Sequence, residues 1–251
     1  MFSRYLLVLA LGFAFVPTSG YADDRAISEL VAELKPSIVV ITFTGRDGKQ
    51  EGLGTGFVVS EDGLIATNFH VIGEGRPISV QFADGTKRDV IEVRASDRQL
   101  DLAVLKIDQK GLKPLELGDA TKAKDGQPVV AMGNPRGLKH SVVEGILSGH
   151  REIDGRTMLQ LAMPIEQGNS GGPLVDRNGN VLGIITLKSL VTDNLGFAIS
   201  VNSLKPLLEK PNPVLMSRWL TIGQLNPRDW TPLFGARWRQ RAGRIAVELG
   251  I

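Results

Sequence analysis

Cysteine is absent from all 251 residues, which excludes thiol catalysis, disulfide scaffolds and cysteine-ligated zinc. Histidine is scarce, and His70, His140 and His150 leave little for a histidine-rich metal site, so no metal or cofactor is expected. Aromatic residues make up only 6% of the chain. The net charge of +2 is too close to neutral for a nucleic-acid binder, and no nucleic-acid partner is expected. What is present in excess is glycine, 29 residues, which argues against a coiled coil or helix bundle and for many turns. The length suits one large or two small domains, enough to bury a core without covalent staples.

The first 22 residues read as a targeting segment. Arg4 precedes an apolar run from Tyr5 to Val16, and small residues follow through Gly20-Tyr21-Ala22. A basic start, a short apolar stretch and a small-x-small end make a secretory signal, expected to be cleaved after Ala22. Cleavage would take the formal charge from +2 to +1. The run is shorter than the ~20 apolar residues of a membrane span, and an uncleaved anchor is the alternative. An exported protein, periplasmic or secreted, is expected.

Residues Asp24–Leu34 carry Ile27, Leu30, Val31 and Leu34 at helical spacing, which Pro36 stops. Short β-branched runs then take over: 37–43, 56–60, 64–67, 78–82, 90–93, 102–107, 128–132, 141–147, 158–161, 173–175, 181–185 and 197–201. Between them lie Asp47-Gly48, Asp62-Gly63, Asp84-Gly85, Asp125-Gly126, Asp154-Gly155 and Asn178-Gly179, pairs that supply the positive φ of tight turns. A dozen strands without long intervening helices predict an all-β sandwich or closed barrels. The polar stretch Leu112–Lys124 marks the boundary between two halves, about 37–116 and 117–207.

Three segments carry chemistry. In Gly168-Asn169-Ser170-Gly171-Gly172-Pro173, a serine between glycines suits a tight turn with an exposed hydroxyl. The N–H groups of Gly168 and Ser170 can then point at a developing oxyanion. The same Gly-x-Ser-x-Gly pattern forms a strand-to-helix elbow in another hydrolase fold, but here Pro173 and a strand follow. His70, in Thr67-Asn68-Phe69-His70-Val71-Ile72, has the pKa range a serine hydroxyl needs in its base. Asp101 introduces the apolar run Leu102–Ile107 and could orient that histidine; Asp97, four residues earlier, is the rival.

The order His70, Asp101, Ser170 is that of trypsin-like proteases. Together with the stretches Gly52–Ile72, Asp97–Ile107, Val130–Ser148, Gln167–Ile185 and Asn194–Val201, it makes residues 26–207 resemble the Deg/HtrA family of trypsin-like serine proteases. That resemblance implies two six-stranded antiparallel β-barrels set perpendicular to each other, with the active site in the cleft between them. It implies an endopeptidase acting on unfolded or damaged proteins, with His70 as base, Asp101 as its orienter, Ser170 as nucleophile and Gly168 with Ser170 as oxyanion donors. It selects Asp101 over Asp97, because the family's aspartate directly precedes a Leu-Ala pair. A chaperone-like binding protein using the same fold with an idle triad is the alternative, and an oligomer is compatible with either.

The departures are equally specific. Glu166-Gln167 replaces the family's Asn-Pro before Gly168, which makes the oxyanion loop less rigid. Asn169 stands where digestive relatives carry an aspartate that pairs with a newly cut N-terminus, so zymogen activation of that kind is not expected. The resemblance further implies a specificity pocket walled by Ile165, by Thr186, Leu187 and Lys188, and by Gly196 and Ala198. With no carboxylate at its base, it should take small aliphatic side chains. Only 41 residues follow Lys210, fewer than the PDZ domain common in the family, and the protease domain is expected to span 23–210. Residues 211–251 carry six arginines, two acidic residues and all three tryptophans, Trp219, Trp230 and Trp238. Phe234, Trp238, Ala242, Ile245 and Leu249 fall at helical spacing, which predicts either a basic amphipathic helix on an anionic membrane surface or a helix packed on the barrels, with Gly235 and Gly243 counting against both.

Overall fold

The computed structural model describes residues 26–44, 50–72, 77–133, 141–166, 168–188, 195–219, 237–241 and 244–248, with the side chains of 44, 50–53, 187–188 and 237–248 outside the description. The targeting segment, Asp47-Gly48, Trp230, Phe234, Gly235, Ala242, Gly243 and Leu249 therefore lie outside the described residues.

Each expected apolar run forms a strand. The first six are β1 (Ile38–Thr44), β2 (Gln50–Val58), β3 (Leu64–Asn68), β4 (Ile78–Gln81), β5 (Lys87–Asp97) and β6 (Leu102–Ile107). They pair antiparallel in the order β5-β4-β1-β2-β3-β6, and β5 also pairs with β6, closing a barrel. The next six are β7 (Pro128–Gly133), β8 (Ser141–Ile153), β9 (Arg156–Ala162), β10 (Pro173–Val175), β11 (Val181–Lys188) and β12 (Leu195–Ser200), closed in the order β10-β11-β12-β9-β8-β7. Two six-stranded antiparallel barrels result. Closure removes the unpaired edges that an open sheet of this size would expose. At the turn pairs Gly63, Gly85, Gly126, Gly155 and Gly179 all have positive φ, and Asp154 joins Gly155 at φ 52° and 71°, the left-handed pair of a type I′ hairpin.

The segments flanking the barrels, 27–34 and 212–219, each pack on the barrel farther from them in sequence. Helix α1 (Ile27–Leu34) buries Leu30 and Leu34 in the core of the second barrel, where both lie within reach of a Cβ added at Gly179. After β12, the short helix α3 (Lys205–Glu209) leads to Asn212, and β13 (Val214–Leu215) adds to β5 of the first barrel through Val214–Val93 and Leu215–Glu92. Helix α4 (Met216–Trp219) then places Met216 and Trp219 in the first barrel's core. In the connection between barrels, Asp119 accepts from the Asn202 amide at 2.8 Å and from Thr121, and the Asn202 contact foremost holds its carboxyl well below the usual carboxylate range.

The tail departs from expectation. Residues 237–241 and 244–248 are strands and not helical: β14 (Arg237–Arg241) and β15 (Arg244–Glu248) pair antiparallel with Arg241 opposite Arg244. Glycine within a helix costs ~1 kcal/mol relative to alanine, so the glycines of this stretch disfavour the expected helix. Trp219 is buried against the first barrel, so the membrane expectation loses both its helix and one of its tryptophans. Among the described residues no helix is long and apolar enough to cross a membrane.

Candidate active site

Asp101 sits at the end of the turn between β5 and β6, with φ 57°. Aspartate tolerates this left-handed conformation better than most residues. Its carbonyl accepts from the Phe69 N–H and the Asn68 side-chain amide, each at 3.1 Å. Its carboxylate faces α2 (Phe69–Ile72): Oδ1 accepts the His70 N–H at 2.9 Å, and Oδ2 lies 2.8 Å from His70 Nδ1. Oδ2 also accepts the Thr186 hydroxyl at 2.8 Å. A carboxylate is an acceptor only, so the neutral imidazole carries its proton on Nδ1 and leaves Nε2 free as a base. Asp101 is 15% exposed and His70 47%, a shielded carboxylate behind an accessible imidazole. Asp97 instead accepts the Leu100 N–H at 2.9 Å, closing the same turn.

Ser170 lies in a loop gripped from the first barrel. The Asn169 N–H donates to the Glu166 carbonyl at 3.1 Å, closing a turn in which Gly168 has φ +103°. Positive φ at Gly168 favours glycine, which has no Cβ to clash there. Thr55, buried on β2, donates its hydroxyl to the Gly168 carbonyl at 2.6 Å and its N–H to the Ser170 carbonyl at 2.9 Å. At Gly171, φ +84°, an added Cβ would meet the Thr55 carbonyl at 2.1 Å and Thr67 Oγ1 at 2.2 Å, so no larger residue fits. The Ser170 hydroxyl donates to the Thr186 carbonyl at 3.3 Å. Ser170, Thr186, Asp101 and His70 are thus joined by one continuous run of contacts from the second barrel to the first.

Thr186 was expected in the pocket wall. A β-bulge between Ile185 and Leu187, where β11 pairs with β12, re-aims its side chain, and the hydroxyl goes to Asp101. Ala198, also expected to line the pocket, is fully buried in the core of the second barrel. Ile165 and Gly196 do meet: a Cβ at Gly196 would lie 2.3 Å from Ile165 Cγ1, so that side chain closes the space above the glycine. Lys188 pairs with Gly196 and Leu187 with Phe197 through the strand ladder, their side chains being outside the description. Asn169 is buried, its side-chain oxygen against Gly133 and without a hydrogen-bond partner among the described residues. A carboxylate there would be an unpaired buried charge; the neutral amide costs far less.

Sequence reasoning missed Thr55, Thr67 and Asn68. The signal available was the Gly54-Thr55-Gly56 triplet within a strand, since glycines in strands mark close backbone approach. Among the described residues no group of three or more His, Asp or Glu side chains could hold a metal ion.

A two-barrel fold with an Asp–His pair and a glycine-flanked serine loop at the junction defines the trypsin-like class. The trypsin-like peptidase domain family matches residues 54–184, and the chain belongs to it. Within the class it carries an HtrA-type protease domain. It is 35% identical to the mitochondrial serine protease HTRA2 of Bos taurus over 81% of this chain and 47% of that protein. It is 40% identical to a probable periplasmic serine endoprotease, DegP-like, of Halomonas elongata, over 63% of this chain and 35% of the relative. The chain thus covers half or less of these relatives' length. The crystal structure of the serine endoprotease from Yersinia pestis superposes with a TM-score of 0.66 at 33% identity, covering 74% of this chain and 66% of the other.

Proposed function

We propose that the chain is an exported serine endopeptidase that hydrolyses peptide bonds of unfolded or damaged proteins with His70, Asp101 and Ser170. The observation that carries this reading is the continuous contact run Ser170–Thr186–Asp101–His70. In the reaction, the Ser170 hydroxyl turns from the Thr186 carbonyl to His70 Nε2, which takes its proton as Oγ bonds to the substrate carbonyl carbon. The oxyanion formed is held by the N–H groups of Gly168 and Ser170. Asp101 stabilises the imidazolium without taking a proton. The imidazolium then protonates the leaving amine as the C–N bond breaks, and water, activated by the same histidine, releases the acyl group.

A fluorophosphonate probe tests the nucleophile, base and oxyanion donors together. The purified protein is expected to be labelled covalently at Ser170, with mass spectrometry placing the adduct. An unlabelled, folded protein would favour the chaperone-like alternative, for which the Glu166-Gln167 replacement in the oxyanion loop is the supporting feature.

The pocket reading follows from Ile165 lying against Gly196. A shallow apolar site accepts small aliphatic side chains and discriminates among them by only ~1–3 kcal/mol per methylene. Casein digested by the enzyme is expected to be cut mainly after Val, Ala and Ile. A majority of cuts after Lys or Arg, read by mass spectrometry, would refute the pocket. Cleavage of the leader after Ala22 and release to the periplasm or outside the cell complete the proposal.

A further inference from the structure

Helix α2, which carries His70, is a single turn of four residues. So short a helix has no stability of its own and is held by its contacts. Toward Asp101 those contacts are the hydrogen bonds of Asn68, Phe69 and His70. On another side stands a segment that belongs to neither set of six strands. The Trp219 ring meets the Phe69 ring edge-on, centroids 6.1 Å apart at 77°, and Trp219 is only 8% exposed. The Arg98 guanidinium lies 5.9 Å from the same Phe69 ring.

The segment that delivers Trp219 also grips the turn that delivers Asp101. Asn212 accepts the Ser96 N–H at 2.8 Å and donates to the Ser96 carbonyl at 3.0 Å, so its side chain pairs with β5 as a strand residue would. β13 continues that pairing at Val93 and Glu92. Residues 212–219 therefore bind both halves of the Asp101–His70 unit: the β5 end of the turn through Asn212, and the residue before the base through Trp219.

We propose that residues 212–219 form a strap whose Trp219–Phe69 contact positions His70, making Trp219 a positioning residue for the reaction. The inference rests on the assignment of His70 as the base. An edge-on aromatic pair has a preferred geometry, which a shapeless apolar contact lacks. Displacing a reacting group by about 1 Å can cost ~100-fold in rate. The ring beside the base thus transmits the strap's position to the imidazole.

The full chain bearing Trp219→Leu, Trp219→Phe or Phe69→Leu is compared with wild type on a small ester substrate well below each melting temperature. Trp219→Leu is expected to lower kcat about 10- to 100-fold with KM within about twofold, and Trp219→Phe to restore kcat to within about threefold of wild type. The Trp219→Leu and Phe69→Leu effects should be non-additive in the double variant, as for residues in contact. The downfield NMR resonance of the His70 Nδ1 proton should shift or broaden in Trp219→Leu.

A lowered melting temperature with wild-type kcat and an unmoved Nδ1 resonance would reduce Trp219 to core filling and overturn the proposal. If Trp219→Leu does not fold, Phe69→Leu and Trp219→Phe decide by the same two readouts. A wild-type protein that no fluorophosphonate labels would instead count against the endopeptidase reading, and the NMR comparison would still test the strap.

Discussion

Replacing Ser170 with alanine is expected to abolish casein cleavage while leaving the fold intact. Removing a triad nucleophile typically lowers the rate by ~10⁴–10⁶, because the residual acceleration comes only from the oxyanion donors and substrate binding. The fold should survive because the hydroxyl makes a single long hydrogen bond, 3.3 Å to the Thr186 carbonyl, worth about 1 kcal/mol or less. The backbone ties of the loop are untouched: Thr55 N–H to the Ser170 carbonyl, and Gly171 N–H to the Ile185 carbonyl at 2.8 Å. Unchanged thermal unfolding by circular dichroism, with no casein fragments above background, is the expected pair of results. An alanine variant that cuts as fast as wild type in a contaminant-free preparation would show that Ser170 is not the nucleophile.

Asp101→Asn is expected to be nearly as damaging, lowering kcat/KM by about 10⁴. The Asp101 carboxylate accepts three hydrogen bonds, from His70 N–H, His70 Nδ1 and the Thr186 hydroxyl. An amide has one acceptor oxygen and one donor nitrogen. With the oxygen kept on the His70 N–H, its NH₂ faces Nδ1 and drives the imidazole proton to Nε2, where it blocks the base. Asp97→Asn retains an oxygen for the Leu100 N–H and should change kcat/KM by less than about threefold, since among the described residues its carboxylate closes the turn. Measuring both variants on one small ester substrate separates the two aspartates. A severe loss for Asp97→Asn with a mild one for Asp101→Asn would transfer the orienting role to Asp97.

Strand positions were legible because β-branched runs between Asp-Gly and Asn-Gly pairs carry two independent signals, and each expected run is a strand. Strand lengths were not. The run 90–93 is the centre of β5, which extends over Lys87–Asp97, and 141–147 begins β8, which continues to Ile153. The extensions are polar residues such as Arg151 and Glu152, which join because Met158 and Thr157 across the ladder offer hydrogen-bond partners. At the other extreme, the apolar stripe at 234–249 suggested a helix over residues that pair as β14 and β15. Five apolar positions in a glycine-interrupted stretch are a weak periodic signal, which strand pairing overrides.

The residue types of the candidate site, and their order along the chain, belong to the sequence alone. His70 and Ser170 could be named because a serine at neutral pH needs a histidine base, while chemistry left Asp97 and Asp101 both open and the family resemblance selected Asp101. The all-β class is also a local property, written in the turns and β-branched runs. Tertiary structure decided what those residues touch. A bulge lies where Thr186 turns its hydroxyl to Asp101, and Thr55 reaches 113 positions along the chain to the Gly168 carbonyl. Pairing with β5 brings β13 back to the first barrel and sets Trp219 against Phe69, the residue before His70. Contacts at such separations depend on register and on which apolar face each segment can bury, and both are set only when the barrels have closed around their cores.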